Sequence, residues 1–315
     1  MHLIFTSCLD VTSDMLIDKI GHKTIRVNND RPQDHEILIN KEGFVIRDRH
    51  GRSVDSNNLL TAIIRKPAPH IVDKNDEAVH TFRETSAAHS GLLNLIQFLW
   101  PEKLPISPSR IKDVSKFVQL FAAKDLFPIA PWAFTTHPER SSLCEDVVVK
   151  TLSGSPFSPG KGDSSATFIY VQPAKLCDLA DDYPWFLQEQ VKARFDLTVL
   201  YIDGLMFGQR LDRHSFDGLD WRKHIGSPTD TLWETCILPD DLQNRIKRYM
   251  QTLDLSFGRL DFLANNPEMT DASFLEVNPN GQWAWMDLKM NNGIFDAMVE
   301  FLCRPRSGTN PPRVI

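Results

Sequence analysis

The residues best suited to chemistry lie near the C-terminus. They are Gly258-Arg259-Leu260-Asp261-Phe262, followed by Phe274-Leu275-Glu276-Val277-Asn278-Pro279-Asn280-Gly281. Both stretches read as strands, joined by a polar loop. Alternate side chains of a strand share a face, so Glu276 and Asn278 point one way and Leu275 and Val277 the other. If the strands pair, Asp261 joins the polar side, and two carboxylates and an amide form a patch of oxygen ligands. Such a patch suits Mg2+, which prefers oxygen and shares its coordination between a few protein ligands and substrate phosphates. A solvated hairpin face has the same pattern, because strand faces are commonly half exposed. The apolar neighbours Phe257, Leu260, Phe262 and Phe274 weigh toward chemistry, since carboxylates in such surroundings are costly unless paired or metal-bound.

Further groups lie upstream. Lys150 ends the apolar run Val147-Val148-Val149, where it can reach a phosphate or water. A Gly/Ser-rich loop follows, with Ser153, Gly154 and Ser155 at its start, and its backbone N–H groups and hydroxyls could close over phosphates or simply be solvated. It is not a Walker A loop: Gly160-Lys161 is followed by Gly162 where Ser or Thr is required. Gln188-Glu189-Gln190-Val191 leads into a polar connector ending at Asp196. Backbone groups there can read adenine, while Glu189 and Asp196 can accept hydrogen bonds from adenine N6 or ribose hydroxyls. Arg210, Arg213 and Arg222 suit a phosphoryl oxygen or a carboxylate, or equally a surface ion pair. Arg65 and Lys66 close an early strand at a Pro-rich turn that could face a cleft. No GxSxG elbow marks a nucleophile, and the histidines show no metal-ligand spacing.

The elements that must position these groups follow from periodicity. Strands are expected at 3–5, 24–28, 61–65, 132–135, 147–150, 167–171, 186–191, 197–202 and 205–211, with a hairpin at 37–40 and 44–47. Helices are expected at 13–20, 75–100, 111–125, near 174–181, at 239–253 and at 294–302. Pro101, Pro105 and Pro108 punctuate the chain and place a domain boundary near 105.

With 42% hydrophobic and 24% charged residues over 315 positions, the composition is that of an ordinary soluble globular protein. A net charge of −6 with no dense Lys/Arg block disfavours nucleic acid. No segment has about 18 uninterrupted apolar residues, so no membrane span is expected. Five widely spaced cysteines without a CxxC pair suggest neither zinc nor a disulfide framework. A cytoplasmic location is expected, since the N-terminus reads as a strand and not as a signal peptide.

The order is a strand-end lysine, a Gly/Ser loop, an acidic connector, an arginine strand and D…ExN, and in that order the chain resembles the ATP-grasp superfamily. It looks most like the ligases that mature ribosomally made peptides, the microviridin or graspetide macrocyclases, with RimK-like ligases more distant. Arg26-Val27-Asn28-Asn29-Asp30, Ile64-Arg65-Lys66-Pro67, Lys116-Phe117-Val118-Gln119-Leu120, Val149-Lys150 and Phe274 to Pro279 carry the resemblance. It implies an α+β fold with an α/β N-terminal domain (1–105) and a nucleotide held between two α+β subdomains (106–187 and 188–303), then a tail (304–315). It implies ATP and Mg2+ as cofactors. Lys116, Lys150, Ser153, Gly154 and Ser155 would meet phosphates, Gln188 to Val191 would border adenine, and Asp196 would hold ribose. Arg210, with Lys150, would steady the reacting phosphoryl group. Asp261, Glu276 and Asn278 would bind Mg2+, and Arg65 and Arg222 a substrate carboxylate. Related ligases often carry Arg two residues after the ribose acid, where this chain has Thr198; Arg194 and Arg222 are the nearby alternatives.

The implied activity is an ADP-forming ligation of a carboxylate to an amine or hydroxyl on a peptide, closing a ring. Ligation of free amino acids or small metabolites, binding without turnover, and simple phosphoryl transfer are the competing readings. A homodimer is compatible with all of them.

Overall fold

The computed structural model describes residues 1–65, 76–152, 171–216, 218–221, 232–288 and 291–305. The chain opens with β1 (His2–Thr6), α1 (Val11–Ile20) and β2 (Thr24–Asn28). A hairpin, β3 (His35–Asn40) and β4 (Gly43–Asp48), is extended by β5 (Ser53–Asp55). Then come β6 (Thr61–Ile64) and the long helix α2 (Asp76–Leu99). β1 sits between β2 and β6, all parallel, and parallel strands need such crossovers. Leu3, Phe5, Ile25 and Val27 pack under Leu92, Leu93 and Ile96 of α2.

Two short helices follow, α3 (Pro108–Asp113) and α4 (Lys116–Ala123). One continuous helix over 111–125 was expected. Instead Val114 leaves helical geometry and Ser115 starts a new helix, its side chain accepting from the Val118 N–H. That N-cap satisfies an otherwise orphaned donor and places Lys116 at the first position of α4.

A four-stranded antiparallel sheet comes next: β7 (Trp132–Thr135), β8 (Asp146–Lys150), β9 (Gln172–Lys175) and β10 (Trp185–Glu189), in the order β7-β10-β8-β9. The helix expected near 174–181 is β9 plus one 3-10 turn at Leu176–Asp178. Pairing with β8 from Asp146↔Lys175 to Val149↔Gln172 holds these residues extended. The Gly/Ser-rich loop that begins at Ser153 lies outside the described residues, as do 167–170 of the strand expected at 167–171.

The last sheet has five antiparallel strands. These are β11 (Phe195–Ile202), β12 (Leu205–Asp212), β13 (Glu234–Cys236), β14 (Phe257–Ala264) and β15 (Ser273–Asn278), in the order β13-β12-β11-β14-β15. Helix α5 (Asp240–Thr252) covers one face. Its Leu242, Ile246, Tyr249 and Met250 fall on a single stripe at helical spacing and meet Leu197, Val199, Leu260, Phe262 and Val277 in the largest core. Asp240 and Asp241 occupy the first turn of α5, where the helix dipole favours negative charge.

The opposite face of this sheet changes character along its length. At one end Leu200, Ile202 and Phe257 pack with Ile4, Leu16 and Ile63 of the first unit. Met286 of α6 (Trp285–Leu288) and Phe295 and Met298 of α7 (Ile294–Cys303) join the same core. At the other end the face carries Asp196, Thr198, Asp261 and Glu276. The apolar end anchors the sheet and the polar end is left for a cleft.

Candidate active site

Asp261 of β14 stands directly opposite Glu276 of β15, and Arg259 opposite Asn278. The pairing and the strand alternation put all four on one face; the sequence led to three of them there, Asp261, Glu276 and Asn278, and the structure adds Arg259. A register shift between Asp261 and Phe262 makes Leu275 an extra residue. Leu275 was expected to turn away with Val277. Val277 does, and is buried, but Leu275 lines the cleft beside Glu276, because a bulge re-aims the side chains of the bulged strand.

The cleft has a volume of about 250 Å³ and is lined by Lys116, Lys150, Asp196, Asp220, Arg259, Asp261 and Glu276 among its polar groups, with Trp221, Trp233 and Leu275 among the apolar ones. Among the described residues, four carboxylates thus face three cations across one opening. Lys116 Nζ donates to Glu276 Oε2 at 2.6 Å. Helix α4 is fixed to β15 by Gln119, whose Oε1 accepts from the Val277 N–H at 3.0 Å while its Nε2 donates to the Val114 carbonyl. Lys150 Nζ donates to Gln188 Oε1 at 2.6 Å. Asp261 is held on both sides: Thr198 Oγ1 donates to Oδ1 at 2.8 Å and Arg259 Nη2 to Oδ2 at 3.1 Å.

Two of these carboxyls are strongly shifted in opposite directions. Burial by itself would raise Glu276, but Lys116 and then Lys150 and Arg259 outweigh it and hold the group down at about 2. Burial raises Asp196, and the Asp261 and Asp220 charges add to it; Arg213, donating at 2.9 Å and 3.0 Å, opposes but does not prevent a rise to about 7.

The donor set fits a hard divalent cation. The Asp261 and Glu276 carboxylates, with no sulfur or imidazole among the described lining residues, match Mg2+; Asn278, on the same sheet face, is not itself part of the lining. Among the described residues no group of three His, Cys, Asp or Glu could hold a metal alone. Asn278 lies two residue pairs along from Glu276, on the same face, and its Oδ1 accepts from the Asn280 N–H at 3.1 Å.

Not every expected residue reaches the cleft. Arg210 pairs across the sheet with Leu197, whose other neighbour is Phe262. It therefore points to the face opposite Asp261. Its guanidinium meets Glu234 at 3.2 Å, donates to the Pro267 carbonyl and lies over the Phe195 ring. The arginine expected to steady a phosphoryl group is thus one strand position out of phase. Arg194 likewise pairs with Asp212. Arg65 is not open to a substrate: it is 2% exposed, and its guanidinium donates to Asn280 and Gln282. Of the residues expected to border adenine, Gln188 is buried and accepts from Lys150, and the Glu189 side chain accepts from the Cys144 N–H. Strand β10 ends at Glu189, short of the expected Val191. Ser153, Gly154, Ser155 and Arg222 lie outside the described residues.

Arg259 and Asp220 were missed by sequence reasoning. For Arg259 the signal was present: it precedes Asp261 by two residues and so shares its face. Asp220, buried and accepting from the Val171 N–H at 3.3 Å, left none, because its partners are remote in sequence. Thr198, noted only as a departure, orients Asp261.

No protein-family model matches the sequence, and no curated protein matches it. Solved structures do. A RiPP-associated ATP-grasp ligase from Chryseobacterium gregarium, in complex with ADP and a leader and core peptide, superposes with a TM-score of 0.79 at 20% identity, covering 97% of each chain. The macrocyclase MdnC of Microcystis aeruginosa MRC, bound with precursor peptide MdnA, gives 0.76 at 21% identity, over 96% of this chain and 99% of that one. The ATP-grasp ligase PsnB with a minimal precursor gives 0.70 at 17% identity, over 96% and 97%. At such identities the likeness establishes the architecture alone: this chain has the fold of ATP-grasp ligases.

Proposed function

We propose that the protein is an ATP-dependent, ADP-forming ligase that activates a carboxylate and joins it to an amine or hydroxyl on a peptide. The observation that carries this reading is the pairing of Asp261 with Glu276 inside a cleft that also holds Lys116, Lys150 and Arg259. The fold supports it, as do solved relatives complexed with Mg and ADP or with AMPPNP, together with precursor peptides. The units 1–105, 106–187 and 188–303 then serve as the N-terminal domain and the two halves of the nucleotide clamp.

In this reading Asp261, Glu276 and Asn278 hold Mg2+, which when bound neutralises phosphate charge. Lys116 and Lys150 bind phosphate oxygens, and Arg259 takes the part that sequence reasoning gave to Arg210. A carboxylate oxygen of the substrate bonds to the γ-phosphorus as the bond to ADP breaks, giving an acyl phosphate. The amine or hydroxyl then attacks the acyl carbon and inorganic phosphate leaves. The protein's contribution is positioning and charge neutralisation. Asp196, in the same cleft and held by Arg213, accepts from the ribose hydroxyls.

The test is incubation with ATP, Mg2+ and peptides rich in Asp or Glu and in Ser, Thr or Lys. ADP and phosphate are expected only with peptide, and a product lighter by one water marks ring closure. ADP release with single amino acids would reassign the substrate, and a product carrying an added phosphoryl group would make the protein a kinase.

A further inference from the structure

Arg65 lies just past the end of β6, its N–H bonded to the Phe5 carbonyl at 2.8 Å, far in sequence from the carboxylates. A buried arginine needs partners, and Arg65 finds them in the segment that follows Asn278. Its Nη2 donates to Gln282 Oε1 at 3.0 Å and its Nη1 to Asn280 Oδ1 at 3.2 Å. Thr12 Oγ1 of α1 donates to the same Gln282 oxygen at 3.2 Å. Asp10 stands behind Arg65, its Oδ2 3.8 Å from Nε and itself held by Thr6 and Ser13.

The two residues that Arg65 grips lead to the site by separate routes. The Asn280 N–H donates to Asn278 Oδ1 at 3.1 Å. The Gln282 carbonyl accepts from Arg259 Nη1 at 3.0 Å, and Arg259 Nη2 donates to Asp261 Oδ2 at 3.1 Å. Between them Gly281 lies so close to Arg259 that a Cβ there would sit 2.9 Å from the arginine's own Cβ. Only glycine permits that approach.

We propose that Arg65 is a positioning residue: from the N-terminal sheet it clamps the 280–282 turn, and through it sets the orientation of Asn278, Arg259 and Asp261. The proposal rests on the Mg2+–ATP reading of the cleft. It gives the first unit a part in the chemistry that none of its described residues provides by lining the cleft.

The experiment titrates Mg2+ into wild type and variants and measures binding of a non-hydrolysable ATP analogue, with Tm recorded for each protein. Arg65→Lys is decisive, since it keeps the charge but loses the two-pronged fork. Its Mg2+ midpoint is expected to rise about 10-fold or more, the usual cost of removing a partner that orients ligands. Gln282→Ala, a change at an exposed residue, should raise it too. Leu93→Ala loosens the N-terminal core away from the site and should lower Tm without moving the midpoint. A wild-type midpoint in Arg65→Lys overturns the proposal, as does an equal shift in Leu93→Ala. A shift in Arg65→Lys but not in Gln282→Ala supports positioning through Asn280. Wild type that binds no analogue at any Mg2+ concentration sinks the nucleotide reading itself, and the proposal with it.

Discussion

Asp196 and Glu276 are carboxylates of one cleft, each bonded to a basic side chain, yet one is pushed up to about 7 and the other held at about 2. Burial acts in the same direction on both. The difference lies in the company each keeps. Glu276 faces Lys116, Lys150 and Arg259, whereas Asp196 has Arg213 but shares its space with Asp261 and Asp220. A single ion pair therefore does not fix a buried carboxyl's charge; the balance of all neighbouring charges does. Glu276 is a standing anion, suited to hold a cation at any physiological pH. Asp196 is the group whose proton can come and go near neutrality.

The sharpest way to break this contrast is Glu276→Ala. It should lower ADP release by about 10^3-fold or more while the circular dichroism spectrum stays unchanged. Wild-type turnover would refute the assignment of the standing anion. Lys116→Met should cost about 10^2-fold in the same assay, because Glu276 loses its nearest cation while Lys150 and Arg259 remain.

Stability against pH separates the two carboxyls by sign. Glu276 is depressed from 4.5 to about 2 in the folded state, so its contribution is present above pH 4.5 and lost as pH falls through about 2. Urea unfolding should give wild type an advantage over Glu276→Gln of about 1–2 kcal/mol at neutral pH, after allowance for solvent screening, and the gap should close between those pH values. Asp196 is raised from 3.8 to about 7, so its contribution is full below pH 3.8 and lost as pH rises through about 7. Relative to Asp196→Asn, wild type should therefore weaken as pH rises across that window, the opposite slope.

Smaller effects sharpen the picture. Thr198→Val removes one hydrogen bond to Asp261 and should cost about 1 kcal/mol of stability, with a several-fold loss of turnover. Arg210→Ala should change turnover least, within about 3-fold, since its exposed ion pair with Glu234 is worth little and lies on the other face of the sheet. A large loss in Arg210→Ala would return that arginine to the chemistry.

Much of this was legible in the chain. Period-two alternation located β14 and β15, put Glu276 and Asn278 on one face, and marked Asp261 as their partner. The apolar stripe of α5 and the strand-end position of Lys150 were equally plain. The break between α3 and α4 was harder, because Ser115 competes with the helix it interrupts only through its own cap.

What the sequence by itself determined was local: the type of most segments, though not the helix break at Ser115 or the strand at Gln172–Lys175, and which oxygen-bearing side chains share a face, since both depend on neighbours a few residues away. Tertiary structure alone decided the rest. The bulge that turns Leu275 into the cleft, the strand pairing that sends Arg210 to the far face, and the closure of Arg65 on Gln282 across 217 positions all depend on register and packing between distant segments. Residue type and spacing do not encode a one-residue slip between strands, and such a slip moves a side chain from one face of a sheet to the other.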